Sequence, residues 1–369
     1  MKILSYKFSE PNSWCFERID FNSINLLVGR NGSGKTRLLN TIVNFFKMFR
    51  PNSNEIQNGE WEVKFKISSN DNNEYTYIFK AESDQILEET LLINSKIHIN
   101  RKNNSIIIDG KEMPGFGKNI IGLKAFSQTD ILVPILKAFQ NVYVRRYNPY
   151  SYLEQPGHPL VSLDQLTKII ESDDSFINYL SLTDSILPEL GFFYLKEKKR
   201  EELSKLKKDF CSYFDYVEDL DLLNIDKIRS QFPIINESLS LFCLCIKENN
   251  SWIPTFAISS GMKKYLEALI DLYATPSNCI IIYDEFENGL DPINITDLID
   301  LFLEKRNERQ YIFTSHHPNI INNFPVKNWI VLNRDKYSVH NLSGDKIEKD
   351  TQIKGAFISL LNSKFYSGE

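Results

Sequence analysis

The sequence predicts an α/β protein in which a mostly parallel sheet carries the functional motifs and two lobes are inserted, one of antiparallel strands and one of helices. Three observations predict this fold class. The apolar run Ile24–Val28 leads into a glycine-rich loop and then into a segment with helical spacing. A second apolar run, residues 279–283, ends in two acidic residues. Between these two regions lie segments that alternate apolar and polar residues. Short apolar runs are typical of buried parallel strands, and alternation is typical of hairpins.

Composition and charge narrow the class of protein. The chain has 369 residues, 42% of them hydrophobic and 25% charged, as in ordinary globular proteins. The net charge of −5 gives no global sign of a nucleic-acid binder. The five cysteines have no regular spacing, which favours reduced thiols over a disulfide framework. We find no signal-peptide pattern and no apolar run long enough to cross a bilayer, and therefore expect a cytoplasmic protein without membrane contact.

The glycine-rich loop is a full match to the phosphate-binding pattern G-x-x-x-x-G-K-[ST]. Glycines let the backbone turn its N–H groups toward a phosphate, and the N-terminus of the following helix adds its dipole. The loop that would bind ATP consists of Gly29, Arg30, Asn31, Gly32, Ser33, Gly34, Lys35 and Thr36. Lys35 would reach the β- and γ-phosphates, and the Thr36 hydroxyl would bind Mg²⁺. A chance glycine turn is the alternative, which the strand before it and the helix after it disfavour.

The second apolar run completes the site. It ends in Asp284 and Glu285, the arrangement called Walker B. In proteins with a phosphate-binding loop, the aspartate at this place holds Mg²⁺. Glu285, one residue later, is placed to act as the general base that polarises the attacking water. Two acidic residues in a turn after a strand are common in isolation, but their combination with the glycine-rich loop indicates nucleotide hydrolysis.

Two further segments resemble motifs of the ABC-type ATPases. Residues 258–262, ISSGM, resemble the ABC signature motif, usually L-S-G-G-Q, with serine at the first glycine and methionine at the glutamine. The resemblance implies that Ser259, Ser260 and Gly261 face the γ-phosphate bound by a second copy. Taken alone, serine before a helix is more often a plain N-cap. Residues 288–292, NGLDP, resemble the D-loop, which would bring Asp291 to the dimer interface.

A histidine pair follows the next apolar strand, in the segment TSHHP at 314–318. ABC-type ATPases carry a switch histidine here, and the resemblance implies that it contacts the γ-phosphate and Glu285. His316 fits this role best, with His317 as the neighbour that could be confused with it and a structural histidine as the alternative. Together with the two short strands before Ile24, the motifs resemble the SMC/RecF/OLD group. Within that group, size and motif order resemble the compact AAA family ATPases of bacterial anti-phage systems.

The organisation we expect is a single ABC-type head over residues 1–369. Residues 1–50 and 240–345 would form the nucleotide-binding core, 51–128 a β-lobe and 129–239 a helical insertion. The β-lobe is predicted from four alternating segments between residues 60 and 108, which are separated by turn-forming residues. Gln128 is a candidate for the Q-loop residue that contacts Mg²⁺, and an ordinary surface glutamine is the alternative.

The helical insertion carries a run of lysines at 195–210, LKEKKREELSKLKKDF. A solvated helix face explains such a run most simply. Contact with the phosphate backbone of DNA or RNA is the functional alternative. The run is too short, and lacks the sustained heptads, for the long coiled coil of SMC proteins. The sequence therefore leaves nucleic-acid binding open.

From these residues we expect an ATPase that uses ATP and Mg²⁺ and works as a dimerising switch. Two copies, or a higher homo-oligomer, would enclose ATP between them. The leading hypothesis is the regulatory ATPase of an anti-phage system that controls a partner effector, a nuclease or toxin. About fifty residues follow the histidine pair, too few for a nuclease domain of its own. The alternatives are a RecF-like ATPase of DNA repair or chromosomes, and an ATP-dependent clamp with little turnover. An ABC transporter subunit is disfavoured by the departures in the signature motif.

Overall fold

The computed structural model describes these residues: 1–50, 53–102, 105–126, 128–146, 161–172, 176–177, 179–180, 187–225, 241–304, 309–347, 356–361 and 363–367. The chain divides into two compact units. The first unit contains Met1–Val144, Ser277–Phe286 and Leu303–Glu369. The second unit contains Arg145–Pro276 and Glu287–Phe302. The division predicted from the sequence, into core, β-lobe and helical insertion, stays a prediction.

Strands dominate the first unit. The strands of both units, in chain order, are β1 Lys2–Ser9, β2 Cys15–Asp20, β3 Ile24–Val28, β4 Gly59–Lys66, β5 Tyr75–Glu82, β6 Gln85–Ile93, β7 Lys96–Lys102, β8 Ser105–Ile108, β9 Lys111–Pro114, β10 Val142–Arg146, β11 Val161–Ser162, β12 Asp219–Asn224, β13 Leu241–Glu248, β14 Ser251–Pro254, β15 Ile280–Asp284, β16 Gln310–Thr314, β17 Trp329–Asp335 and β18 Ser338–Ser343. Fourteen of the described strands join in one sheet in the order β10-β15-β16-β3-β17-β18-β2-β1-β4-β5-β6-β7-β8-β9.

The helices, in chain order, are α1 Lys35–Lys47, α2 Gly122–Ala125, α3 Leu132–Gln140, α4 Leu163–Ile170, α5 Pro188–Lys198, α6 Arg200–Tyr213, α7 Ser260–Ala274, α8 Pro292–Glu304, α9 Pro318–Asn323, α10 Ala356–Leu361 and α11 Lys364–Ser367. Helix α1 begins directly after the glycine-rich loop, as the sequence predicts. Its buried face includes Phe45 and Phe46, which pack with Phe139 of α3 at ring-centroid distances of 5.8 and 5.2 Å. This aromatic contact fixes the position of α1 and therefore of the loop before it.

The parallel part of the sheet holds the motifs. Strands β15, β16, β3 and β17 run parallel, and all five residues of β3 and of β16 are buried. Such strands are covered on both faces, which is why their sequences read as continuous apolar runs. The parallel sheet with the apolar strands Ile24–Val28 and Ile280–Asp284 confirms the predicted α/β fold class.

The antiparallel part of the sheet confirms the predicted hairpins. The four alternating segments are β4, β5, β7 and β8, and their alternation matches burial on one face, as in the pattern of β4, where every second residue is buried. Two strands were not predicted, β6 and β9. The hairpins also continue the parallel sheet without interruption, because β1 pairs with β2 on one side and with β4 on the other.

The second unit combines a small sheet with helices. Strand β13 pairs with β11, β12 and β14 in antiparallel fashion. Cys243 and Cys245 lie on β13 and are buried. The expectation of a mostly helical segment before residue 240 is wrong for Asp219–Asn224, which forms β12. The leucines of this segment are buried, and the segment pairs with β13. This tertiary pairing overrides the local preference for a helix.

Two general expectations from the sequence can be set beside the structure. All five cysteines are free thiols, and Cys243, Cys245 and Cys279 are buried. In the part of the chain that the structure describes, no helix is both long enough and apolar enough to span a membrane.

Candidate functional site

The glycine-rich loop is folded around its own lysine. The Lys35 ammonium group donates hydrogen bonds to the carbonyl oxygens of Gly29, at 2.7 Å, and Arg30, at 3.3 Å. Gly32 and Gly34 have φ angles of 79° and 99°, the left-handed region that favours glycine. A Cβ atom on Gly34 would also lie 3.2 Å from the Trp14 ring. These two glycines are therefore required by the shape of the loop.

The acidic end of β15 meets the loop. The Thr36 hydroxyl and the Asp284 carboxylate lie 3.4 Å apart, and the Thr314 hydroxyl donates to the same carboxylate oxygen at 2.8 Å. The Thr314 hydroxyl also accepts a hydrogen bond of 2.8 Å from the backbone N–H of Glu285. Thr314 at the end of β16 thus ties both acidic residues to the neighbouring parallel strand.

Glu285 has an unusual backbone for a residue with a side chain. Its φ angle is 55°, in the left-handed region. Non-glycine residues in this region are uncommon and cluster at functional sites, where surrounding contacts hold them. Two hydrogen bonds to Thr314 hold this backbone in place. The first comes from the Glu285 N–H, as described above, and the second joins the Phe286 N–H to the Thr314 carbonyl oxygen at 3.2 Å. The strained turn after β15 places Glu285 at the rim of a cavity.

That cavity, which we call the P-loop cavity, has a volume of about 480 Å³. Its lining brings together residues from five separate segments of the first unit: Trp14, Asn31, Gly32, Gly34, Lys35, Thr36, Arg37, Glu285, Thr314, Ser315, His316 and Arg334. Four residues predicted from distant parts of the sequence, Lys35, Thr36, Glu285 and His316, therefore line one space. A lysine, a carboxylate and an imidazole around a glycine-rich loop form a site for a phosphate chain and for proton transfer.

The two adjacent histidines have different surroundings. His316 lines the P-loop cavity. His317 instead caps helix α9, because its Nδ1 atom accepts a hydrogen bond of 3.3 Å from the backbone N–H of Asn319. The backbone N–H of His317 donates to the Ser315 hydroxyl at 3.0 Å. Of the two histidines, the one that the sequence favours faces the cavity and its neighbour serves the helix.

Five residues that line the cavity were not predicted as site residues: Trp14, Arg37, Thr314, Ser315 and Arg334. The Arg334 guanidinium lies 4.2 Å from the centroid of the Trp14 ring, and that of Arg37 lies 5.9 Å from it. Arg37 is also paired with Glu10 at 3.1 Å. The one local signal for Trp14, Arg37 and Arg334 was a tryptophan in the turn between two predicted strands. The approach of Arg334 to Trp14 depends on the pairing between β18 and β2, which has no sequence signature.

The signature-like segment lies in the second unit. Ser259 is the N-cap of α7, and its hydroxyl accepts a hydrogen bond of 3.2 Å from the backbone N–H of Met262. Ser259 and Ser260 are exposed, and Gly261 is half-buried. The exposed N-terminus of this long helix offers backbone N–H groups and a positive dipole end. The capping role and the predicted role for the segment use different atoms and are compatible.

Asp291 also serves as a helix cap. One of its carboxylate oxygens accepts hydrogen bonds of 2.9 Å from the backbone N–H groups of Ile293 and Asn294, and the other contacts the Asn294 side-chain amide. The carboxylate is therefore used at the start of α8. Gly289, two residues earlier, has a φ angle of 82°, which supplies the turn after Walker B.

Gln128 and the lysine run are the remaining features that the sequence singled out. Gln128 is exposed in the turn between α2 and α3, and it is not among the described residues that line the P-loop cavity. The lysine run forms two helices, α5 and α6, that break at Lys199. Several of its lysines form ion pairs, namely Lys196 with Asp221, Lys205 with Glu202 and Lys207 with Asp219. These pairs favour the solvated helix face over contact with nucleic acid.

The residues at the cavity also fit a magnesium ion. Mg²⁺ prefers oxygen ligands and is usually held by one or two protein oxygens together with substrate phosphates and water. The Thr36 hydroxyl and the Asp284 carboxylate, 3.4 Å apart beside the loop, are such a pair. A self-sufficient site of three or more histidine, cysteine or acidic residues is absent from the described residues. The donor set therefore suits a metal that arrives with a phosphate ligand.

Comparison with known proteins agrees with this arrangement. A family profile described as "AAA domain, putative AbiEii toxin, Type IV TA system" matches residues 154–322. The matched segment contains the signature-like residues, Walker B and the histidine pair. Among solved structures, an SMC head bound to the C-winged helix domain of ScpA is similar, with a TM-score of 0.53 and 15% identity, covering 94% of this chain and 100% of that one.

Two other SMC heads are similar at lower scores. The SMC head domain from Thermotoga maritima gives a TM-score of 0.46 and 11% identity, covering 93% of this chain and 99% of that one. An Smc head with an extended coiled coil, bound to the C-terminal domain of ScpA derived from Pyrococcus furiosus, gives 0.47 and 15%, covering 93% and 97%. No curated protein sequence matches the chain.

The fold is similar to that of an SMC head domain, and the loop at the end of β3 has the sequence of a phosphate-binding loop. The AAA domain profile matches residues 154–322, which do not include that loop.

Proposed function

We propose that this chain binds Mg·ATP in the P-loop cavity and hydrolyses it. One observation carries the proposal. The Thr36 hydroxyl lies 3.4 Å from the Asp284 carboxylate, and Lys35, Glu285 and His316 line the same cavity. The three parts of an ATPase, a phosphate-binding loop, a metal-binding pair and a general base, thus meet at the carboxyl ends of parallel strands.

Each residue has a distinct role in this proposal. Lys35 and the backbone N–H groups of residues 29–36 hold the phosphate chain, and Thr36 with Asp284 holds Mg²⁺, which supplies positive charge to the phosphates. Glu285 accepts a proton from the attacking water at its carboxylate. His316 donates a hydrogen bond toward the γ-phosphate. Thr314 holds the Asp284 carboxylate and the backbone N–H of Glu285 in position through its hydroxyl group.

A second copy of the chain completes the site in this proposal. The exposed N-terminus of α7, with Ser259, Ser260 and Gly261, contributes to the γ-phosphate bound by the other copy, and Asp291 lies at the interface. Support comes from the exposure of both serines and from the dipole of a fifteen-residue helix. ATP then joins two copies, or a higher homo-oligomer, and hydrolysis separates them, so that the protein acts as a switch.

The biological setting we propose is bacterial anti-phage defence, with this ATPase as the sensor that controls a partner effector. The matched profile is described as a putative toxin of a type IV toxin–antitoxin system, which supports a place among defence proteins. The similar SMC head with a TM-score of 0.53 is bound to the C-winged helix domain of ScpA, which supports the idea that a head of this fold docks a partner protein. The ion-paired lysines of α5 and α6 give no support to direct binding of DNA.

The proposal is tested by ATP turnover together with molar mass from light scattering, with and without Mg·ATP. We expect Glu285→Gln to abolish turnover and to trap an ATP-dependent dimer, because it binds ATP but lacks the base. Lys35→Ala should lose both turnover and dimerisation, because the phosphate-binding cation is gone. Glu112→Gln makes the same chemical change at an exposed residue of β9 and should behave as wild type.

Two results would count against the proposal. Equal turnover in wild type and Glu285→Gln would remove Glu285 from the mechanism. An unchanged mass in all four proteins, whether or not ATP is present, would reject the switch. Recovery of a nuclease or toxin chain with Glu285→Gln, and not with Lys35→Ala, is the result expected for the effector.

A further inference from the structure

A second cavity adjoins the glycine-rich loop. This outer cavity has a volume of about 460 Å³ and is lined by Arg30, Asn31, Gly32, Ser33, Leu332, Asn333, Arg334, Lys336 and Tyr366. It shares Asn31, Gly32 and Arg334 with the P-loop cavity but contains none of Lys35, Thr36 and Glu285. Its size is within the range of pockets that take small molecules.

The charge of the outer cavity is positive. Arg30, Arg334 and Lys336 are cationic, and among the described residues that line the cavity there is no carboxylate. The whole chain has a net charge of −5, so this concentration of cations is local. Three cations around one concave space favour an anionic ligand, because they donate several hydrogen bonds to it and make the local electrostatic potential positive.

A buried hydroxyl group points to the same conclusion. Ser33 is 5% exposed, and its Oγ atom has no hydrogen-bond partner among the described residues. Ser33 lines the outer cavity and is not among the described residues that line the P-loop cavity. A buried hydroxyl without a partner costs free energy, and a ligand oxygen in the outer cavity would satisfy it.

The far wall of the cavity comes from the C-terminal helix α11. The Asn333 side-chain amide donates a hydrogen bond of 2.6 Å to the carbonyl oxygen of Phe365, which holds α11 against β17. Tyr366, the next residue, lines the cavity and is half-buried. Burial raises the pKa of Tyr366 above its usual range, so its hydroxyl stays protonated and can donate to an anion.

We propose that the outer cavity binds the phosphoryl group of a small molecule, separately from the nucleotide. Its donors are two guanidinium groups, one ammonium group and the hydroxyls of Ser33 and Tyr366. A tetrahedral oxyanion with three acceptor oxygens uses such a spread set of donors better than a planar carboxylate does, and arginine forks match phosphate oxygens in pairs. The remaining volume accommodates an organic group attached to the phosphate.

The test measures binding by calorimetry with two probes, inorganic phosphate and ribose 5-phosphate. The protein is the full chain, as wild type and as Lys35→Ala, which removes a cation that lines the P-loop cavity and does not line the outer cavity. We expect both proteins to bind at least one probe. Lys336→Glu should weaken that binding about tenfold or more, because one cation is replaced by an anion. Lys111→Glu, the same charge change at an exposed residue of β9, should have no effect.

The probes distinguish the sources of the phosphoryl group. Tighter binding of ribose 5-phosphate indicates an organic phosphate, and equal binding indicates free phosphate. Three results would overturn the proposal: no saturable binding of either probe below about 10 mM, equal loss in Lys336→Glu and Lys111→Glu, or loss of binding in Lys35→Ala. The last result would assign the outer cavity to the nucleotide site. Since Lys336 is outside the ATPase roles given above, failure here leaves the turnover test untouched.

Discussion

A buried ion pair in the antiparallel part of the sheet allows a quantitative test of the fold. Glu89 of β6 and Arg101 of β7 face each other at 3.3 Å, and both side chains are 0% exposed. The Glu89 carboxylate also accepts hydrogen bonds from the Tyr77 hydroxyl at 2.7 Å and from the backbone N–H groups of Gly122 and Leu123, both at 2.8 Å. We therefore choose Arg101→Met, which removes the charge and retains most of the side-chain length.

The expected loss of stability is large because the negative charge of Glu89 stays buried after its partner is removed. In Arg101→Met, Glu89 stays buried with three donors but no counter-ion, and breaking a buried pair by removing one partner costs about 3–5 kcal/mol. Arg101 also donates to the carbonyl oxygens of Gly117, at 3.1 Å, and Ile120, which lose a partner. The double variant with Glu89→Gln should be more stable than Arg101→Met alone by about 1–3 kcal/mol, since the isolated charge is then absent.

The measurement is the free energy of unfolding from urea titrations. The control is Lys80→Met, which breaks the pair with Glu60 on neighbouring strands of the same sheet, where the two side chains are 41% and 49% exposed. That change should cost about 0–1 kcal/mol. The reasoning from burial is refuted if Arg101→Met and Lys80→Met lower the free energy of unfolding equally. It is also refuted if adding Glu89→Gln to Arg101→Met lowers that free energy further.

Two further predictions concern single residues. Gly34→Ala should weaken ATP binding by about tenfold or more, because alanine is strained at φ 99° and its Cβ would lie 3.2 Å from the Trp14 ring. Titration with a fluorescent ATP analogue measures the affinity, and an unchanged affinity would contradict the prediction. Glu189 is fully buried, and burial raises its pKa from 4.5 to about 7. The folded state therefore holds this proton more tightly than the unfolded state, so the contribution is full below pH 4.5 and is lost as pH rises through 7. Glu189→Gln should remove a fall in stability on the order of 3 kcal/mol between pH 5 and 8, measured by unfolding at each pH; a fall that persists in the variant would contradict it.

The elements that hold the site were predictable because their signals are local. A phosphate-binding loop needs glycines and a lysine at fixed spacing, so residues 29–36 identify themselves. The strand Ile24–Val28 is buried on both faces, and its sequence reads as one apolar run. The distinction between His316 and His317 rested on a motif and agrees with the cavity lining.

Other features depend on contacts between residues far apart in sequence. Arg334 reaches Trp14 only because β18 pairs with β2, and no spacing rule connects the two residues. The sequence predicts that β12 is part of a helical region, and it is the pairing with β13 that makes this segment a strand. The break at Lys199 falls inside a run of good helix formers, and its backbone, with φ −140° and ψ 60°, has no local cause in the sequence. Such features follow from tertiary packing, which one sequence does not display.

The position of β3 in the sheet has a consequence for the biosynthesis of this protein. Ile24 pairs with Tyr311, and Leu26 pairs with Trp329, so both neighbours of the phosphate-binding strand come from the far end of the chain. At a synthesis rate of about 5–20 residues per second, the glycine-rich loop waits about 15–60 s for the strands that will flank it. During this interval the apolar run Ile24–Val28 has no sheet to join and is exposed to aggregation or to chaperones. A nascent chain is thus unable to assemble its P-loop cavity until β16 and β17 have been synthesised, which prevents premature ATP-dependent contact with other copies.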